Sequence, residues 1–148
     1  METFNLENSI NHTIVYASIL LRRQLYSLFK KNEVDITPEQ WVVLYYLWQK
    51  DGLSLGEVAQ KTQKDNANTT RIVDRMEAQG LVKRTNKADD KRFFYLYLTE
   101  KANNMKPLVY KSILNSTEIC SNDLSIDEQK TILMLLNKII HNMEAFKE

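Results

Sequence analysis

Apolar residues recur at helical spacing along most of the chain, beginning close to the amino terminus. Over residues 6–30 they step by three or four positions and keep to one face, which predicts a long first helix. A second helix is expected after Thr37, whose hydroxyl can cap it, because Pro38 fits its first position and Gln40 completes a capping box. We expect it to end near Gly52, since glycine favours the left-handed conformation that closes a helix.

Two further helices are predicted directly after the second one, separated from each other by a short break. Ser54 and Glu57 form a capping box for the shorter of them. Asp65 is a suitable N-cap for the longer one, which runs to about Gln79 and is followed by a glycine. Two capped helices joined by a tight turn over residues 54–79 are the arrangement of a helix-turn-helix.

The hydrophobic period then changes from that of a helix to that of a strand. Residues 81–85 predict a short strand, residues 86–92 a polar hairpin tip, and the aromatic residues 93–98 a return strand. A helix-turn-helix followed by a two-stranded hairpin, here 81–98, is a winged helix-turn-helix.

Two long helices are predicted in the carboxy-terminal third of the chain. Thr99 caps one that runs to about Cys120, and a capping box of Ser125 and Glu128 opens the other. The apolar positions of the last helix are Ile132, Leu133, Leu135, Leu136, Ile139, Ile140, Met143 and Phe146. The predicted fold class is therefore mainly α with a two-stranded β wing and long terminal helices.

Composition supports a single helical domain. The chain has 148 residues, of which only three are glycine and two are proline, too few for a protein built from many tight turns. It has one cysteine, no apolar run of membrane-spanning length and no signal-peptide pattern at its start, so we expect a cytoplasmic protein. The net charge is +1, but residues 54–92 carry nine basic and six acidic residues, against eleven and thirteen elsewhere. The predicted winged helix is thus the basic part of the chain.

The helix over residues 65–79 carries the side-chain chemistry that reads DNA. A helix of this kind fits the major groove, where asparagine suits adenine and arginine suits guanine or phosphate, while a basic hairpin tip reaches the backbone or the minor groove. The predicted base-reading residues are Asn66, Asn68, Thr69, Thr70, Arg71 and Arg75. Contacts from the wing and to the DNA backbone are expected from Ser54, Lys64, Lys87, Asp90, Lys91 and Arg92. A merely solvated helix face is the alternative, which the adjoining hairpin disfavours.

The central sequence resembles the MarR family of bacterial transcriptional regulators. The resemblance lies in Asp65-Asn66-Ala67-Asn68-Thr69-Thr70-Arg71-Ile72-Val73-Asp74-Arg75-Met76-Glu77, Gly80-Leu81-Val82-Lys83-Arg84, Asp89-Asp90-Lys91-Arg92 and Leu98-Thr99-Glu100-Lys101-Ala102. It implies one MarR-like domain over residues 1–148, with dimerisation helices at 1–36 and 100–148 and a DNA-binding winged helix at 37–99. It also implies that Arg92 enters or flanks the minor groove while Asp90 steadies the wing. The return strand Phe93-Phe94-Tyr95 is more aromatic than is usual in the family.

The family resemblance also implies a homodimer, and the apolar stripes of the terminal helices support one. The residues expected near the centre of the interface are Ile10, Ile14, Leu136, Ile139, Ile140 and Met143. The alternative is that these helices pack against each other within one chain.

Members of the family respond to small aromatic or phenolic ligands, and the residues that could line such a pocket are Tyr16, Tyr26, Trp41 and Tyr45. Core packing would explain the same aromatic residues.

The predicted function is sequence-specific DNA binding, as a homodimeric repressor of a palindromic operator that a small aromatic ligand could release. The alternatives are a regulator without a small-molecule inducer and a winged helix that binds a protein partner. We expect no enzyme activity, because the sequence has no GxSxG, HExxH or P-loop motif. Neither a cofactor nor a metal is expected, since His12 and His141 stand far apart without ligand spacing. Cys120 has no neighbouring basic residue that would activate its thiol, which favours an ordinary cysteine.

Overall fold

A computed structural model describes residues 5–87 and 90–146 of the chain, with side chains described at 5–86 and 93–146. The helices are α1 (Ile10–Lys31), α2 (Pro38–Gln49), α3 (Leu55–Thr62), α4 (Asn66–Ala78), α5 (Glu100–Cys120) and α6 (Ile126–Ala145). The strands are β1 (Leu53–Ser54), β2 (Val82–Lys87) and β3 (Asp90–Leu98), and a 3₁₀ turn at Leu6–Asn8 precedes α1. The predicted mainly helical fold with a β wing is confirmed.

Capping hydrogen bonds set the starts of α2, α3, α4 and α6 where the sequence predicts them, whereas α1 begins at Ile10, later than predicted, and has no side-chain cap. In the capping box of α2, the Gln40 backbone N–H donates to Thr37 Oγ1 at 3.3 Å and the Thr37 N–H donates to Gln40 Oε1 at 2.9 Å. Equivalent boxes open α3 at Ser54 and α6 at Ser125. These bonds satisfy backbone N–H donors that have no partner within the helix itself. Because both partners are close in sequence, the first residues of these helices can be predicted from the local sequence.

The sheet has three antiparallel strands in the order β1-β3-β2, one more than the hairpin predicted from the sequence. The additional strand pairs Leu53 with Leu96 and Ser54 with Tyr95. It was missed because two residues are too few to show a period. The paired strands also extend further than predicted: Lys87 pairs with Asp90, so backbone pairing enters the segment expected to form only a polar tip.

The core of the winged helix is formed by buried apolar side chains from α1 to α5 and all three strands. Its largest fully buried side chains include Phe29, Ile36, Leu44, Leu47, Leu53, Met76, Leu81 and Leu96. One buried polar side chain joins two helices here: Gln40 of α2 donates through Nε2 to Gln79 Oε1 at 2.7 Å, at the end of α4. Gln79 in turn donates to the Asp35 carbonyl at 3.1 Å. The carboxy-terminal end of α4 is therefore fixed to the start of α2.

The chain divides into two compact units, the first ending at Ser116 and the second beginning at Thr117. The second unit contains the end of α5 and the whole of α6, in which no residue is buried. In the part of the chain that the structure describes, no helix combines the length and apolarity needed to cross a membrane.

Candidate nucleic-acid interface

The helix-turn-helix is held together by capping interactions at the start of α3 and by a left-handed residue at its end. Ser54 Oγ accepts from the Glu57 N–H at 3.2 Å, and Glu57 Oε2 accepts from the Ser54 N–H at 2.7 Å. The Ser54 backbone N–H, more than its hydroxyl, holds the pKa of Glu57 below its ordinary value. Gln63 closes α3 at φ 55°, and the half-buried Lys64 donates its N–H to the Ala59 carbonyl at 3.0 Å. This turn brings the start of α4 to the protein surface.

Asp65 caps α4, as predicted, and also constrains one of the predicted base-reading residues. Its Oδ1 accepts from the Asn68 N–H and its Oδ2 from Asn68 Nδ2, both at 2.7 Å. The Asn68 backbone N–H is the main reason that the pKa of Asp65 is lowered. Asn68 therefore keeps its side-chain carbonyl and one amide hydrogen available for DNA, while its orientation is fixed by Asp65.

The two faces of α4 have different chemistry. Thr69, Val73 and Met76 are buried against the core, whereas the four predicted readers Asn66, Asn68, Arg71 and Arg75 are exposed. Thr70 is half-buried, and its hydroxyl donates to the Asn66 carbonyl at 2.7 Å.

The structure does not support Thr69 as a base-reading residue. Its side chain is fully buried, and its hydroxyl donates to the Asp65 carbonyl at 2.9 Å. Residues four and seven positions further along α4 are also buried, so Thr69 belongs to the core stripe of the helix. A hydroxyl that bonds back to its own helix satisfies its polar group inside the core, which is how a threonine can occupy such a position.

The wing is fixed to α4 by an arginine that the sequence analysis did not single out. Arg84 of β2 donates through Nη1 to Glu77 Oε2 at 2.8 Å, and through Nη2 to Asp74 Oδ1. Its backbone N–H also donates to Glu77 Oε1 at 3.3 Å. The acidic residues stand one turn apart on α4, a spacing that could have suggested a shared basic partner. The predicted wing residues Lys87, Asp90, Lys91 and Arg92 have side chains outside the described residues.

A groove of about 760 Å³ lies between α1 and the start of α2. Its lining residues are Ile14, Val15, Ser18, Ile19, Arg22, Arg23, Tyr26, Thr37, Pro38 and Glu39. Arg22 Nη1 and Glu39 Oε1 form an ion pair at 2.5 Å across it. Neither groove arginine is recognisable from the sequence, because basic residues on a helix are usually solvated and nothing local distinguishes these two.

The four predicted ligand-pocket residues occupy different surroundings. Tyr26 lines the groove and is contacted by the Lys30 ammonium, 4.5 Å from its ring centre. Trp41 and Tyr45 pack against each other with ring centres 5.4 Å apart, and Tyr16 stacks on His12. The structure thus brings Trp41 and Tyr45 together in one aromatic cluster and assigns Tyr26 to the groove.

A smaller cavity of about 310 Å³ adjoins the carboxy-terminal end of α4 and shares Tyr26 and Thr37 with the groove. Arg75, one of the predicted base-reading residues, lines it together with Gln40 and Gln79.

Among the described residues, no group of three or more histidine, cysteine, aspartate or glutamate side chains is arranged to hold a metal ion.

Both terminal helices expose apolar side chains. On α1, Ile10 is 66% exposed and Ile14 is half-buried in the groove. On α6, Leu136 is 38% exposed and Met143 is 66% exposed, while Ile139 is half-buried. The other large exposed apolar residues of α6 are Ile126, Ile132, Leu133, Met134, Leu135 and Ile140. Large apolar side chains exposed in this number on one helix, as on α6, are unusual on a monomeric protein.

Comparison with known proteins agrees with this arrangement. A family model described as the MarR family matches residues 36–93. The HTH-type transcriptional regulator MgrA of Staphylococcus aureus is 30% identical over 122 residues, which cover 82% of this chain and 80% of MgrA. The structure of the transcriptional repressor CouR bound to a 23-mer DNA duplex matches with a TM-score of 0.83 at 21% identity, covering 95% of this chain and 98% of CouR. The structure of PcaV from Streptomyces coelicolor, in complex with its natural ligand, matches with a TM-score of 0.82 at 20% identity, covering 95% and 98% of the two chains. The chain therefore belongs to the MarR family of winged-helix, DNA-binding transcriptional regulators.

Proposed function

We propose that this chain acts as a homodimeric transcriptional repressor that reads a palindromic operator through α4 of each protomer. The observation that carries the proposal is the division of α4 into a buried stripe of Thr69, Val73 and Met76 and an exposed polar surface. A helix fixed to the core on one side and polar on the other fits the major groove.

The proposed DNA contacts divide into base readers on α4 and backbone contacts from the rest of the helix-turn-helix and the wing. Arg71 suits guanine or phosphate, and Asn68 suits adenine with its amide already oriented by Asp65. Ser54 and Lys64 contact phosphates at the start of the helix-turn-helix. Lys87, Asp90, Lys91 and Arg92 act in the wing, a role that comes from the family resemblance.

The apolar surfaces of the terminal helices support dimerisation, with residues 1–36 and 100–148 as the dimerisation region. A two-fold dimer presents its two reading helices to one side of the duplex, so half-sites about 10 base pairs apart are expected. The central contacts proposed are those of Ile10, Ile14, Leu136, Ile139, Ile140 and Met143.

The groove beside α1 supports regulation by a small aromatic ligand that carries an acidic group. It combines apolar walls with the guanidinium groups of Arg22 and Arg23, and a bound carboxylate would compete with Glu39 for Arg22. PcaV, to which this fold is similar, was solved with its natural ligand. Linkage requires that a ligand which weakens operator binding also binds less tightly when the operator is present. The competing proposal is a regulator without such a ligand.

Selection of bound sequences from random DNA tests the proposal. We expect one palindromic site, and binding to it should weaken steeply with salt because phosphate contacts release counterions. Arg71→Ala should change the selected bases, whereas Lys87→Ala should weaken all sequences about equally and lower the salt slope by about one. Lys50→Ala removes the same charge from an exposed residue that is neither a proposed DNA contact nor part of the proposed dimerisation region, and it serves as the control. No selected site and salt-independent binding to an apolar partner would favour a protein-binding winged helix instead.

A further inference from the structure

We propose that Arg84 is a positioning residue for DNA reading, which holds the wing in a fixed orientation against α4 without contacting DNA itself. This inference rests on the proposed function, because it concerns how the two DNA-contacting elements are kept in register with each other.

The Arg84 side chain links strand β2 to helix α4. Its guanidinium group reaches from β2 to two carboxylates on α4, Asp74 and Glu77, and its backbone N–H donates to Glu77 as well. The Arg84 side chain is only 23% exposed. On β3 it pairs with Leu96, which is fully buried, so the Arg84 side chain starts from a buried part of the sheet.

The connection from α4 to β2 is already held at its other end. Gly80 adopts φ +70° and passes the chain out of the helix, and the Leu81 N–H donates to the Met76 carbonyl at 2.8 Å. Thr99 Oγ1 donates to the Gly80 carbonyl at 2.6 Å, and Lys101 Nζ to the Gln79 carbonyl at 2.7 Å. The base of the hairpin is also held through β3, because β1 pairs Leu53 with Leu96 and Ser54 with Tyr95. Arg84 adds a direct side-chain link from β2 to α4, which sets the orientation of the wing relative to the reading helix.

The same contacts remove Arg84 from the set of basic residues that attract DNA. A guanidinium that is paired with two carboxylates has few donors left for a phosphate. The pairing also neutralises two acidic groups on the reading helix that would otherwise repel the duplex. An ammonium group cannot replace it, because only the planar fork of arginine presents donors to both carboxylates at once.

The test uses the duplex that the wild-type protein selects from random DNA, with a scrambled duplex of the same length as the non-specific probe. Arg84→Gln should weaken binding to the selected duplex by about tenfold, within the range of coupling between residues in one network, and binding to the scrambled duplex by no more than about twofold. Lys83→Gln is the matched control: it removes the same charge from the preceding residue of β2, which is exposed and pairs with Tyr97. It should change either affinity by less than about twofold.

A charge exchange separates positioning from direct contact. Glu77→Arg and Arg84→Glu should each weaken binding to the selected duplex, and the double variant should bind more tightly than either single variant, because the contact between positions 77 and 84 is restored with no change in net charge. Recovery should be partial, since the contact of position 84 with Asp74 is not restored. Arg84→Lys should lie between wild type and Arg84→Gln, since it reaches one carboxylate. Thermal melts confirm that each variant is folded at the temperature of the binding assay.

A double-mutant cycle tests whether Arg84 acts through the wing. In an Arg92→Ala background, Arg84→Gln should cost less than about threefold, because the wing contact that it positions is already lost. Equal effects of Arg84→Gln and Lys83→Gln, full multiplication of the Arg84→Gln and Arg92→Ala losses, or no recovery in the charge exchange would each overturn the proposal. A wild-type protein that selects no duplex would instead refute the proposed function.

Discussion

Replacing Leu136 by aspartate is expected to destroy the proposed homodimer. Leu136 lies on α6, a helix in which no residue is buried and most of whose large apolar side chains are exposed. We propose that a second copy of the chain covers this surface, so a charge introduced at Leu136 would lie inside the interface.

The expected loss follows from the exposure of Leu136. Complete burial of a leucine side chain contributes about 1.5–3 kcal/mol, and 38% of this one is exposed, so its burial in the dimer contributes about 1 kcal/mol per protomer. An aspartate loses that contribution and adds several kcal/mol for a carboxylate removed from water without a partner. Since symmetry repeats the change in both protomers, the dimer loses about 6–8 kcal/mol, or roughly five orders of magnitude in Kd.

Sedimentation and light scattering over a wide concentration range measure this effect. The wild type should be dimeric at micromolar concentration, and Leu136→Asp should show a concentration-dependent loss of folding. Asn137→Asp adds the same charge at the next, exposed position of α6 and should leave the dimer intact. A monomeric wild type, or a Leu136→Asp protein that remains a stable dimer, would refute both this interface and the palindromic operator inferred from it.

Two further predictions concern the stability of the winged helix. Gln40→Leu should lower the free energy of unfolding by about 2 kcal/mol, because the Thr37 N–H and the Gln79 side chain lose a buried partner; a melting temperature within about 2 °C of the wild type would contradict this. Glu57→Gln should reduce the pH dependence of stability. The lowered pKa of Glu57 means that its contribution is present above the ordinary carboxyl pKa and is lost as the pH falls through the lowered value in the folded state. The wild type should therefore lose its advantage over the variant between about pH 6 and pH 3 in urea unfolding, and a constant difference across that range would show that the capping carboxylate adds nothing.

The start of each capped helix could be predicted from the sequence because capping interactions are local. Thr37, Ser54, Asp65 and Ser125 each bond to a residue three positions further on, so the donor and the acceptor are visible in one short segment. The order of these helices and the aromatic return strand were sufficient for the winged-helix fold. The same reasoning put the DNA-reading chemistry on α4.

The faces and contacts of the site depended on packing between segments that are distant along the chain. Thr69 has the same local chemistry as Thr70, yet its position on α4 turns it into the core. The short strand β1 exists only because β3 passes beside it.

The role of an individual basic residue in the segment 54–92 also depends on the fold. By count, Arg84 is one of nine basic residues over 54–92, and it becomes a link between the wing and α4 only once β2 lies along Asp74 and Glu77. Hydrogen bonds within one helical turn are encoded by neighbouring residues, whereas an ion pair between a strand and a helix requires both elements to be packed on a common core. The sequence by itself therefore determined which elements form and what chemistry they carry, and the tertiary structure decided which of those side chains are buried, which are paired and which are exposed.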